Sequence, residues 1–212
     1  MSACRDSVVK DFFKNLSLLV AGIVFASILL SPPKKAWAEK SHPSWSVFAY
    51  GGQWTETRIG EILQAQTRFR SSYVWAIGAS RTVYEINDFL LLEFEVNTAR
   101  HTGRQNHSEL NAAFSLRWHR FPWDQYVNTS LAYGLGPSYA FKRPPVEQRN
   151  RHDPDPSRLL VFMPVEITFG PPEKYQTPLE VLLRVHHRSG AFGVVSDARG
   201  SNFITSGLRF RF

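Results

Sequence analysis

The residues best placed to do chemistry in this 212-residue sequence are a histidine and a serine two positions apart, His187 and Ser189. In an extended segment, residues i and i+2 lie on one face about 6.6 Å apart, near enough for an imidazole and a hydroxymethyl that lean together to hydrogen-bond. Such a pair supports nucleophilic catalysis, with the imidazole taking the hydroxyl proton as the oxygen attacks a carbonyl. The stretch that carries it alternates: Glu180, Arg184, His186 and Arg188 fall on one face, Val181, Leu183, Val185, His187 and Ser189 on the other. With the charged face turned inward, His187 and Ser189 face outward among aliphatic side chains. The plain alternative is that both are ordinary polar residues at a membrane boundary, since a lone His-x-Ser arises by chance in many chains.

The elements that must hold this pair are read from period. From Trp45 onward alternation with period two recurs, and eight segments carry it: about 44–54, 72–84, 88–98, 108–119, 125–142, 157–169, 178–190 and 201–212. Leu90, Leu92, Phe94 and Val96 oppose Glu93, Glu95 and Asn97; Leu110, Ala112, Phe114, Leu116 and Trp118 oppose Asn111, Ala113, Ser115 and Arg117. The junctions alternate in length. Those at 85–87, 120–124 and 170–177 are short and rich in turn residues, whereas 55–71, 99–107, 143–156 and 191–200 are longer and more charged. Short turns at one end and long loops at the other predict an eight-stranded antiparallel transmembrane β-barrel. Residues 143–156 are expected to be an exposed, Pro-rich loop, and 59–63 a helical turn. Trp45, Trp54, Trp75, Trp118, Trp123 and Tyr126 are candidates for aromatic girdles. A barrel of this size has an interior filled by side chains, which excludes a general diffusion pore.

Composition narrows the class further. Hydrophobic residues make up 43% and charged residues 20%, which excludes intrinsic disorder for most of the length. The single cysteine, Cys4, excludes a disulfide framework and a cysteine-based zinc site. Arg5, Lys10 and Lys14, the apolar run from Leu16 to Leu30 and the Ala36-Trp37-Ala38 site predict an export signal at 1–38, with the barrel at 39–212. Residues 1–38 hold five of the 25 basic and two of the 18 acidic residues, so their removal lowers the net charge from +7 to +4. No basic cluster interleaved with aromatics points to nucleic acid. No third histidine or carboxylate sits at fixed ligand spacing around His186 and His187, so no metal site and no cofactor are expected. The last strand alternates Ile204, Ser206, Leu208, Phe210 and Phe212 with Thr205, Gly207, Arg209 and Arg211. Its terminal Phe212 resembles the signal read by the barrel assembly machinery of bacterial outer membranes.

The barrel pattern together with His187-Arg188-Ser189 resembles the outer-membrane lipid A 3-O-deacylases of the PagL type, in which a His-x-Ser motif lies near the chain's end on the lipid-facing surface. Only the last 35 residues or so carry a specific motif. The resemblance implies a serine esterase that removes an ester-linked 3-hydroxyacyl chain from lipid A (lipopolysaccharide) at the outer leaflet, with Ser189 as nucleophile and His187 as base. The family has an Asn after the serine, where this chain has Gly190, so backbone N–H groups around Gly190 and Ala191 become the oxyanion donors. The family's acid lies at the start of the final strand, where this chain has Ser201 and Asn202. The nearest carboxylate is Asp197, nominated as the third member, and a dyad is the other option. Two further readings stand beside this one: a non-catalytic small barrel serving adhesion, envelope stability or loop-mediated binding, and a soluble periplasmic barrel whose apolar faces point inward around a ligand.

Overall fold

The computed structural model describes residues 44–57, 59–62, 67–147, 157–175, 177–191, 195–196 and 200–212. The expected export signal at 1–38 and Asp197 lie outside them. The strands are β1 (Trp45–Thr55), β2 (Phe69–Asn87), β3 (Leu90–Gly103), β4 (His107–Trp118), β5 (Asn128–Ala140), β6 (Leu159–Phe162), β7 (Val165–Gly170), β8 (Leu179–Ser189) and β9 (Ser201–Arg211). Every pairing is antiparallel between neighbours, and β9 returns to β1, closing the sheet into a ring. The seam is sealed where the Phe212 N–H donates to the Trp45 carbonyl and the Trp45 N–H to the Phe212 carbonyl, at 2.9 and 3.0 Å.

The sixth expected strand is present in two pieces, β6 and β7. Pro164 has no N–H to give the ladder, so the pairing lapses there. The register survives the gap: Phe162 opposes Gly136 and Val165 opposes Tyr133, so both pieces form one span. The ring therefore has eight spans, as the alternation predicted.

The barrel is inside-out relative to a soluble protein. Glu93, Glu95, Asn97, Glu109, Arg117, Glu166, Arg184 and Arg209 are buried, while Ile77, Leu110, Leu116, Leu131, Leu135, Leu183 and Leu208 are exposed on the outer wall. An apolar outer wall is what hydrocarbon requires once every backbone polar group is paired within the closed sheet. This orientation overturns the soluble-barrel reading, because the rows that would line an apolar cavity face outward. Inside, Glu166 receives hydrogen bonds from Arg117, Arg184 and Arg209 at 2.5 to 2.8 Å, and Glu95 accepts both terminal nitrogens of Arg184 at 2.8 and 2.9 Å. A charge desolvated to this degree persists only when paired and hydrogen-bonded, and the network supplies such partners across five strands, leaving Arg209 Nε among the few buried atoms of the described residues without one.

Several expectations are corrected. Residues 99–107 are not a long loop: β3 and β4 extend through them, leaving Arg104–Asn106 as the connection, with Gly103 supplying a positive φ of 88° at its start. The fifth strand begins at Asn128 rather than 125, because Asp124 accepts the N–H groups of Phe121 and Thr129 and holds the turn. The 143–156 segment is not simply surface-exposed. Its Pro145–Glu147 portion is a 3₁₀ turn whose Glu147 is fully buried in the barrel mouth, and residues 148–156 are outside the described set. Trp54 is not a girdle residue but packs in the interior cluster with Tyr50, Val74 and Phe203. Trp75 stands at mid-wall opposite Gly51, whereas Trp45, Trp118, Trp123 and Tyr126 are exposed at the short-turn end. The helical turn forms at Ile59–Ile62.

Candidate functional site

His187 and Ser189 are the outward-facing residues at the long-loop end of β8, while His186 and Arg188 are buried in the lumen. The split follows from strand alternation alone. Asn202, on the neighbouring β9, is directly opposite His187 and, on its other side, opposite Thr55 of β1. Its side-chain amide bridges His187 and Thr57. Asn202 Oδ1 is 2.5 Å from His187 Nδ1, and Asn202 Nδ2 donates to the Thr57 carbonyl at 2.8 Å.

This bridge fixes the protonation of the imidazole. A backbone carbonyl only accepts, so the amide nitrogen must face Thr57 and the amide oxygen must face His187. The oxygen in turn only accepts, so Nδ1 carries a proton and the neutral ring keeps its lone pair on Nε2, the tautomer needed in a general base. Thr57 is itself held in place. Its N–H and its hydroxyl both bond the Thr55 hydroxyl, at 3.1 and 2.8 Å, and its Oγ1 accepts the Arg68 N–H at 3.0 Å.

The Ser189 hydroxyl oxygen accepts the N–H of Ala191 at 3.1 Å. Ala191 has a φ of 52°, a left-handed conformation that turns its N–H back toward the serine. The donor found next to the serine oxygen is therefore that of Ala191. Gly190, expected as an oxyanion donor, has its carbonyl engaged by the N–H groups of Val195 and Ser196 at 3.1 and 3.2 Å. On the far side of the loop, Gly200 has a φ of 74°, and a Cβ there would sit 2.1 Å from the Arg188 carbonyl oxygen. Only glycine lets β9 enter so close to β8, and this entry brings Asn202 beside His187.

Behind the pair, the lumen holds both strands in position. Arg188 donates to Ser138 Oγ at 2.7 Å and to both carboxylate oxygens of Glu147 at 2.8 Å, while the Ser201 hydroxyl donates to Glu147 at 2.7 Å. The 3₁₀ turn thus ties β5, β8 and β9 together directly under the outward-facing residues. Lower on the outer wall, a groove of about 510 Å³ is lined by Ala49, Gly51, Trp75, Ile77, Ser206 and Leu208 among others. Ser206 lies four residues along β9 from Asn202, roughly 13 Å toward the membrane centre.

Sequence reasoning nominated His187 and Ser189 from their spacing and Gly190 from the family resemblance. His187 and Ser189 share the outward face of β8, Gly190 follows it, and the His187 and Ser189 side chains bond Asn202 and Ala191 rather than each other. It passed over Asn202 because an amide is not an acid. The signal that could have found it was its place at the start of the last strand, outward by the same alternation that set His187 outward. Asp197, the nominated acid, is outside the described residues. His101, His107, Glu109 and His186, scattered in sequence, meet in the lumen.

No protein-family model matches the sequence, and no curated protein does either. Among solved structures, the outer membrane enzyme PagL superposes with a TM-score of 0.54 at 12% identity, over 79% of this chain and 99% of that one. Neisserial surface protein A gives a TM-score of 0.47 at 13% identity, over 82% of this chain and 100% of that one. The N-terminal β-barrel domain of Pseudomonas aeruginosa OprF gives 0.42 at 11% identity, over 82% and 100%. Identities this low speak to fold. The chain is an eight-span antiparallel β-barrel of the kind found in bacterial outer membranes.

Proposed function

We propose that this barrel is a lipid A 3-O-deacylase-like serine esterase acting at the outer leaflet of the outer membrane. The observation that carries the proposal is the Thr57–Asn202–His187 chain of hydrogen bonds, which leaves a basic Nε2 on the lipid-facing wall, on the same face as Ser189. An amide that orients an imidazole for proton transfer is the role asparagine fills in Cys-His-Asn proteases. In this reading Ser189 Oγ attacks the ester carbonyl at the 3-position, and its proton passes to His187 Nε2. The Ala191 N–H, with the backbone around Gly190, meets the charge that develops on the carbonyl oxygen. Collapse of the tetrahedral intermediate breaks the C–O bond to the glucosamine, and His187 returns the proton to the leaving oxygen. Water, deprotonated by His187, then releases the 3-hydroxy fatty acid from Ser189 and restores the enzyme. Asp197 stays assigned as an additional acid from the loop, and no cofactor is needed for these steps. The groove below Asn202 is placed to take an acyl chain that enters the membrane from a headgroup at the level of Ser189. The expected leader at 1–38 and recognition of Phe212 by the assembly machinery belong to the same reading.

The experiment is mass spectrometry of lipid A from Gram-negative cells making the full-length chain, beside cells making Ser189→Ala at equal outer-membrane abundance. Loss of one 3-hydroxyacyl chain with the wild-type protein only is the expected result. Unchanged lipid A in both, with both barrels folded and several lipid A structures offered, would favour the non-catalytic barrel.

A further inference from the structure

Inside the barrel, on the opposite face of β8 from His187 and Ser189, three imidazoles converge on one carboxylate. His101 Nε2 is 2.8 Å and His107 Nε2 3.0 Å from Glu109 Oε1, and His186 Nε2 is 3.1 Å from Glu109 Oε2. All four side chains are within 1% of complete burial. His101 and His107 are direct partners across β3 and β4, with rings stacked in parallel at 4.4 Å.

We propose that His101, His186 and Glu109 form a binding site for a divalent transition ion of the zinc class in the lumen. One atom from each of the three lies within 4.8 Å of the others. Zinc bonds of about 2.0–2.1 Å to imidazole nitrogen and carboxylate oxygen place neighbouring tetrahedral ligands about 3.3 Å apart. The His101 contact of 2.8 Å is to Oε1 and the His186 contact of 3.1 Å to Oε2, each within a few tenths of an ångström of that spacing. Small rotations of the side chains bring the three ligand atoms, now within 4.8 Å of one another, onto one ion. Two nitrogens and one carboxylate oxygen make a borderline-soft set that suits zinc better than magnesium or calcium, and a fourth position stays open.

A second observation points to a ligand. Both ring nitrogens of the fully buried His101 lack a hydrogen-bond partner, although Nε2 is aimed at Glu109 from 2.8 Å away. An ion there would satisfy the orphaned nitrogen and relieve the crowding of three imidazoles on one carboxylate. His186 has the outer partner that metal-bound histidines use, its Nδ1 being 2.9 Å from the Tyr50 hydroxyl. His107 holds Glu109 from the other side as a positioning residue.

The local charge permits a cation. Arg188 Nη1 comes within 3.4 Å of Glu109, but the same nitrogen bonds both oxygens of Glu147 at 2.8 Å. With neutral histidines, Glu109, Glu147 and Arg188 sum to one negative charge, which a divalent ion reverses rather than compounds.

The test uses the untagged full-length chain, recovered from outer membranes in detergent, stripped with chelator and dialysed against micromolar Zn²⁺. Wild type is expected to retain about one zinc per barrel, and His101→Gln, His186→Gln and Glu109→Gln less than about a tenth of that. Migration of unheated samples on gels identifies the folded barrels, so loss of metal is scored on folded protein only. Co²⁺ in place of Zn²⁺ should give the visible absorption of a tetrahedral ion in wild type and in Ser189→Ala alike. Equal zinc in wild type and all three variants, or none in folded wild type, overturns the site.

Discussion

Asn202→Ala tests the local argument most sharply, because it removes the group that fixes the His187 tautomer and leaves both reacting side chains untouched. In the resting state the Nδ1–H donates to a neutral amide oxygen. As Nε2 takes the serine proton the ring becomes an imidazolium, and the same bond becomes charge-assisted, with a strength of about 1.5–3 kcal/mol. The part gained only in the transition state, about 1–1.5 kcal/mol over the neutral bond, acts on kcat, so its loss should lower kcat by roughly 5- to 13-fold, with KM little changed. Asn202→Asp should recover part of that rate, because its carboxylate still accepts from Nδ1 and stabilises the cation. It cannot donate to the Thr57 carbonyl, so recovery should be incomplete. The assay is release of 3-hydroxy fatty acid from lipid A in mixed micelles by barrels whose unheated gel mobility matches wild type. A wild-type kcat for Asn202→Ala, or a loss expressed wholly in KM, would refute a positioning role and return the third place to Asp197 or to a dyad.

Other substitutions probe the scaffold. Glu166→Ala removes the shared acceptor of Arg117, Arg184 and Arg209 and leaves buried cations underpaired; the folded barrel should lose about 3–5 kcal/mol, read as a lower urea midpoint in detergent. Gly200→Ala forces a Cβ against the Arg188 carbonyl at a positive φ. With strain of about 1–3 kcal/mol, it should shift Asn202 away from His187 and lower kcat more than global stability. Leu183→Arg puts a charge on the exposed outer wall midway along β8. In a bilayer it should cost about 2–4 kcal/mol, and a negligible change in folding equilibrium would contradict a lipid-facing wall.

Much of this protein was legible from the alternation of single residues. A strand repeats every two residues whatever it pairs with, so the sequence alone separates Glu93, Glu95 and Asn97 from Leu92, Phe94 and Val96, and His186 from His187. The number of spans, the inside-out distribution of charge and the outward placement of His187 and Ser189 are all local properties of that kind. Turn residues and strand propensity added less: the 99–107 segment is polar enough to read as a loop, yet cross-strand pairing such as His101 with His107 carries β3 and β4 through it. Relations between strands belong to the tertiary structure. Register around a closed ring decides that Asn202 lies between His187 and Thr55, that Glu147 reaches Arg188 from a loop, and that His101, Glu109 and His186 meet from β3, β4 and β8. Fixed-spacing motifs could not reveal those meetings, because no helix or turn sets the distances. They follow from how far each strand is staggered against the next, and that stagger is fixed only when the last strand finds the first.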